Sequence, residues 1–137
     1  MTARFGDRRS WVSKEMPIDQ TSLSTAEQFF DKYASALLAR DAKAIAAMYA
    51  IPSLILFPGH SQAVSEQKQT EEFFAASFGQ YDGIDSIKKE FVVRLEAPGA
   101  IWADVTWTYP RKPSERFCYQ LVPGVGGYQI AVLTLLS

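Results

Sequence analysis

The chain has one histidine and one cysteine, and these two scarcities remove much of the chemistry open to a small protein. A metal site needs several converging His, Cys or carboxylate ligands, and His60 and Cys118, far apart in the chain, offer no such cluster. No metal or cofactor is therefore expected. A lone cysteine also excludes an internal disulfide and is compatible with a reducing compartment. Neither His nor Lys adjoins Cys118 to stabilise a thiolate, so it reads as a structural thiol. Charge of one sign is lacking too: 14 basic residues stand against 15 acidic ones. Without a basic stripe to track a phosphate backbone, nucleic acid is not an expected partner. No apolar run approaches the roughly 20 residues of a membrane span, and MTARFGDRRSWVSKEMPIDQ carries charges but no apolar core of a signal peptide. The expectation is a cytoplasmic protein.

With 137 residues there is room for one domain and one core. Residues 1–22 show no clear period and are expected to form a flexible extension, with Met16 as an alternative start. The domain is expected over 23–137. Ser24-Thr25-Ala26-Glu27 has the spacing of a capping box, and Ala26, Phe29, Phe30, Tyr33, Leu37 and Leu38 follow at helical spacing. Asp41 caps a second helix through Ile45, Met48 and Tyr49, which Pro52 stops. Ser53 to Phe57 is a short strand turned by Pro58-Gly59. Ser65 caps a third helix, with Glu66, Glu71 and Glu72 early, Phe73, Phe74 and Phe78 packing inward, and Gly79 at its end.

The period then changes to two. Ile87, Phe91, Val93 and Leu95 alternate with Lys88, Glu90, Arg94 and Glu96, and Pro98-Gly99 turns the chain. The next strand sets Ile101, Ala103, Val105, Trp107 and Tyr109 on one side and Trp102, Asp104, Thr106 and Thr108 on the other. Pro110 to Pro113 breaks the pattern, and Phe117, Tyr119 and Leu121 resume it. Gly124-Val125-Gly126-Gly127 lies between strands, so it reads as a hairpin loop rather than a phosphate cradle. The expected class is α+β: three N-terminal helices packed on a strongly curved, mostly antiparallel sheet, because each element has one apolar face to bury.

The segment RDAKAIAAMYA, residues 40 to 50, with a short strand after it, resembles the nuclear transport factor 2-like superfamily, which includes SnoaL-like polyketide cyclases and ketosteroid isomerases. The resemblance extends over residues 24 to 136. It implies a cone, also described as a cystatin-like roll, with an apolar pocket at its open end and a convex sheet face that forms a dimer contact. On this chain that face would carry Trp102, Asp104, Thr106 and Thr108. Aligned on Asp41, the resemblance puts Tyr33 at the isomerases' oxyanion-donor position and Phe57 where their catalytic aspartate would stand. A phenyl ring accepts no proton. Near Cys118-Tyr119-Gln120, where a second, protonated aspartate is expected, this chain offers a phenol or an amide.

The candidate catalytic residues are His60 and Tyr33, and the candidate ligand-lining set is Tyr33, Tyr49, Phe57, His60, Trp107, Tyr109 and Tyr119. Tyr33 is either a directed donor in a low dielectric or core with a satisfied hydroxyl. His60, at the end of a strand, either leans over the pocket to exchange protons near neutral pH or faces water in its turn. Arg94 is expected opposite Phe91 and Val93, and so outside the pocket. The leading expectation is a dimeric, cofactor-free protein that binds a small apolar or aromatic molecule. Two alternatives stand beside it. One is a cofactor-independent isomerase, cyclase or lyase of the SnoaL-like kind, using His60 as base; the other is a protein interaction module built on the outer sheet face.

Overall fold

The computed structural model describes residues 18–137. Most of the expected extension, Met16 included, falls in segment 1–17 and lies outside the described residues. Helix α1 spans Gln20–Leu38. It begins before the capping box read from the sequence, because Asp19 is the N-cap and its carboxylate accepts from the Thr21 amide at 3.0 Å. Ser24 and Thr25 are therefore helical. Ala26, Phe29, Phe30, Tyr33 and Ala36 form its buried stripe. Arg40 follows with φ 52, a left-handed conformation that usually falls to glycine. Its guanidinium holds it there, donating to the carbonyls of Leu38 at 3.0 Å, Ile84 at 3.1 Å and Tyr81.

Asp41 caps α2, Ala42–Ala47, by accepting from the Ala44 amide at 3.1 Å. Pro52 does not end this helix. Two tertiary donors reach its last carbonyls: the Ile130 amide bonds Met48 O at 2.8 Å, and Gln129 Nε2 bonds Ala47 O at 3.2 Å. The chain thus enters strand β1, Tyr49–Phe57, before Pro52. Pro58-Gly59, with Gly59 at φ 73, closes a hairpin to β2, His60–Val64, and Phe57 pairs with His60. The sequence shows no β2, since only Val64 of this short edge strand is buried. Helix α3, Gln67–Ser77, is capped at Glu66 rather than Ser65. Gln69 Oε1 reaches back to the amides of Ser65 at 2.7 Å and Glu66 at 2.9 Å. The helix ends at Ser77, ahead of Gly79, which sits in a 3₁₀ turn over Phe78–Tyr81.

Strands β3 (Lys88–Ala97), β4 (Ala100–Tyr109), β5 (Lys112–Gly124) and β6 (Gly127–Leu135) form a meander. The six strands are ordered β2-β1-β6-β5-β4-β3, antiparallel except where β1 runs parallel to β6. The sheet curls over the helices. A register shift between Val93 and Leu95 reverses the expected alternation at the end of β3. Leu95 turns outward and is 56% exposed, while Glu96 faces α1, accepting from the Asp19 amide at 2.9 Å and from the Ser22 hydroxyl. On β4 the alternation holds: Ile101, Ala103, Val105, Trp107 and Tyr109 are all buried. Pro113 lies within β5, because Tyr109 already pairs with Lys112 across a tight turn. Among the described residues, no helix is long and apolar enough to cross a membrane.

Candidate functional site

Phe30 is fully buried at the centre of the core. Its ring lies 4.9 Å from that of Tyr119 and 6.3 Å from that of Trp107, centroid to centroid, which ties α1 to the sheet. Beyond this plug, toward the 3₁₀ turn, packing stops and a cavity of about 350 Å³ opens. Its walls are Tyr33 and Leu37 from α1, Phe73, Phe74 and Phe78 from α3 and the turn, Phe57 from β1, Trp107 and Tyr109 from β4, Phe117 and Tyr119 from β5, and Leu133 from β6. Tyr81, Arg40 and Glu115 add polar groups to this apolar lining.

The hydroxyls inside fall into two systems. Deep in the core, the Tyr33 and Tyr49 hydroxyls share one hydrogen bond of 2.7 Å, and Trp107 Nε1 donates to the Tyr119 hydroxyl at 2.8 Å. Burial pushes all three phenols well above their ordinary range, so they remain neutral donors. Tyr33 and Tyr49 own two O–H protons but share one bond, and the Tyr119 proton is not consumed by the bond from Trp107. Tyr33 and Tyr119 both line the cavity. Tyr119, and Tyr33 when Tyr49 is the donor between them, are donors of the kind that stabilise charge on a carbonyl oxygen.

The second system surrounds Glu115. The hydroxyls of Tyr81 and Tyr109 both donate to its Oε1, each at 2.8 Å. Burial first, then the bond to Glu115, raises both phenols. Lys112 lies with Nζ 3.9 Å from Glu115 Oε2 and 4.8 Å from the Tyr81 ring centroid. Among the described residues, no cluster of His, Cys, Asp or Glu is arranged to hold a metal ion.

Of the residues named from the sequence, Tyr33, Phe57, Trp107, Tyr109 and Tyr119 line the cavity. Tyr49 does not; it is 1% exposed and stands behind Tyr33 as its hydrogen-bond partner. His60 is also absent from the lining and is exposed at the start of β2. It pairs with Phe57 across the hairpin, but as an exposed residue outside the lining it is not one of the groups that face the cavity. Arg94 lies on the outer face, donating to Asp104 Oδ2 at 3.1 Å, and Arg116 Nε donates to Asp104 Oδ1 at 2.9 Å. Glu115, Tyr81 and Arg40 were not singled out in the sequence. Glu115 had a signal, since the inward row Leu121, Tyr119, Phe117 extended by two residues reaches it. Tyr81 and Arg40 arrive through a 3₁₀ turn and a left-handed residue, neither of which leaves a period.

The family model described as NTF2-like protein (DUF6841) matches residues 21–117. The chain belongs to this NTF2-like family. No functionally curated protein matches its sequence. Among solved structures, the NTF2-like chain is similar to Aln2 from a Streptomyces species, with 16% identity, a TM-score of 0.67, and 88% of this chain and 93% of that one covered. It is also similar to a domain of unknown function with a cystatin-like fold from Nostoc punctiforme, at 16% identity and a TM-score of 0.62, covering 85% of this chain and 77% of that one. A third similar structure is a candidate scytalone dehydratase from Novosphingobium aromaticivorans, at 9% identity and a TM-score of 0.61, with 84% and 83% covered. At such identities these likenesses establish the NTF2-like, cystatin-like fold alone.

Proposed function

We propose that the protein is a homodimeric, cofactor-free binder of one small apolar or aromatic molecule per chain. The observation that carries this reading is the cavity of about 350 Å³ among Tyr33, Phe57, Trp107, Tyr109 and Phe117. A core packed only for stability leaves few voids larger than a water molecule. Rings from α1, α3, β1, β4 and β5 match a flat ligand, and the phenols and Glu115 supply the few polar contacts that orient it. The test is titration with 2-naphthol, followed through tryptophan fluorescence and calorimetry. Saturable binding at one site per chain is expected, and Leu37→Trp, which places an indole on the cavity wall, should abolish it. Absence of binding to 2-naphthol and to other bicyclic aromatics would refute the proposal.

The dimer is assigned to the outer sheet face around Trp102, Asp104, Thr106 and Thr108. Its support is apolar surface beside Trp102, where Leu95 is 56% and Val92 48% exposed. Trp102→Glu is expected to convert a dimer into a monomer in sedimentation; a wild-type monomer would refute the assignment.

A second reading, a cofactor-independent isomerase, cyclase or lyase, is favoured by the two phenol donors Tyr33 and Tyr119 in one cavity. With His60 outside, Glu115 is the carboxylate in the lining that can accept a proton. The similarity to a candidate scytalone dehydratase is in keeping with this reading. Deuterium exchange at the α-carbons of 2-tetralone, followed by proton NMR, measures it. Catalysed exchange that Tyr33→Phe slows would support an enzyme; exchange at the buffer rate would remove it.

A further inference from the structure

The cavity has one polar pole whose hydrogen bonds are unevenly distributed. Glu115 Oε1 receives both phenolic donors, Tyr81 and Tyr109, at 2.8 Å each. Oε2 receives none among the described residues, and Lys112 Nζ, at 3.9 Å, is beyond hydrogen-bonding reach. The carboxylate is thereby held at a fixed point of a cavity-lining strand, with one oxygen committed to the two phenols and the other, in an ion pair with Lys112, without a hydrogen bond among the described residues. A carboxylate oxygen accepts and never donates, and an acceptor left without a donor in a half-buried site favours a ligand that brings one.

We infer that Glu115 Oε2 is the specificity-determining acceptor of the cavity, and that the ligand class is an aromatic or apolar body bearing one hydroxyl or amine donor at the end that meets Glu115. This rests on the pocket reading above and narrows it. Tyr119 also lines the cavity and supplies a phenol donor, so a ligand that carries a carbonyl or ether oxygen as well as the donor can meet both kinds of partner.

The arrangement makes a particular substitution informative. In Glu115→Gln the two phenols retain the amide oxygen at the Oε1 position, and the amide nitrogen takes the place of Oε2. The open acceptor becomes a donor, while the Tyr81 and Tyr109 hydrogen bonds persist. The probes are 2-naphthol, which carries an O–H, and 2-methoxynaphthalene, which has the same rings and no donor, both titrated by calorimetry.

Wild-type protein is expected to bind 2-naphthol about tenfold or more tighter than its methyl ether, the ratio a hydrogen bond to a charged acceptor supplies. In Glu115→Gln that ratio is expected to fall to about one. Equal affinities for the two probes in wild type would overturn the inference and leave the pocket reading standing. A preference that survives in a folded Glu115→Gln variant would likewise overturn it. If neither probe binds wild-type protein, the pocket reading fails and this inference fails with it. The wild-type comparison needs no variant, so misfolding of Glu115→Gln cannot shield the claim.

Discussion

Tyr33 and Tyr49 hold each other's hydroxyls at 2.7 Å with both rings buried. Tyr49 stands behind Tyr33, away from the cavity that Tyr33 lines, so Tyr33→Phe strands the Tyr49 hydroxyl, while Tyr49→Phe leaves a Tyr33 hydroxyl that can still turn to the cavity. Tyr33→Phe is expected to cost about 1–3 kcal/mol, the range for a stranded buried polar group, and Tyr49→Phe less. The double change strands nothing and is expected to cost less than the sum of the two. Urea unfolding of the four proteins measures this; strict additivity would show that the hydrogen bond adds nothing.

Asp104 is set between Arg116 and Arg94 on the outer face. Its carboxyl is held below the usual carboxylate range by the hydrogen bonds from Arg116, with burial opposing and Arg94 assisting. Because the folded value lies below the unfolded one, the ion pair's contribution is fully present above about pH 4. It is lost as pH falls through the depressed folded value. The stability gap between wild type and Asp104→Asn is therefore expected to be largest at neutral pH and to narrow under acid. A gap that widens below about pH 4 would contradict the geometry.

Glu96 receives the Asp19 amide at 2.9 Å and the Ser22 hydroxyl, so a strand residue completes the start of α1. Glu96→Ala is expected to cost about 1 kcal/mol, as loss of a cap does. Amide hydrogen exchange should quicken in the first turn of α1 and stay unchanged in β5. Uniform acceleration across the protein would point instead to global destabilisation.

His60 stands outside the cavity. Its replacement by Ala is expected to leave the affinity for 2-naphthol, and the pH dependence of binding, unchanged within error. A large loss would require the β1–β2 hairpin to reach the ligand.

Legibility from the sequence followed periodicity closely. The inward row of β4 and the stripe of α1 were visible because each repeats one face several times, and a repeated apolar face has to be buried. Boundaries were less visible. The starts of α1 and α3 and the end of α2 depend on Glu96, Gln69 and Gln129, whose partners are set by folding or by side-chain direction. The reversal at Leu95 and Glu96 arises from a single extra residue in β3, which alternation cannot register. His60 was suspect for its chemistry, yet its position is governed by a two-residue turn.

The sequence by itself determined the three helices, the strands other than β2, and the buried faces of α1 and β4, since helical and strand periods are local properties of the chain. It also limited the chemistry, because one histidine and one cysteine cannot build a metal centre of imidazole and thiolate ligands. Only the tertiary structure decided that the walls leave a cavity, that Glu115 rather than His60 stands in it, and that Asp104 is neutralised on the outer face. Those outcomes depend on how far the sheet curls and where distant strands cross, and curvature and crossing are set by the packing of the whole core.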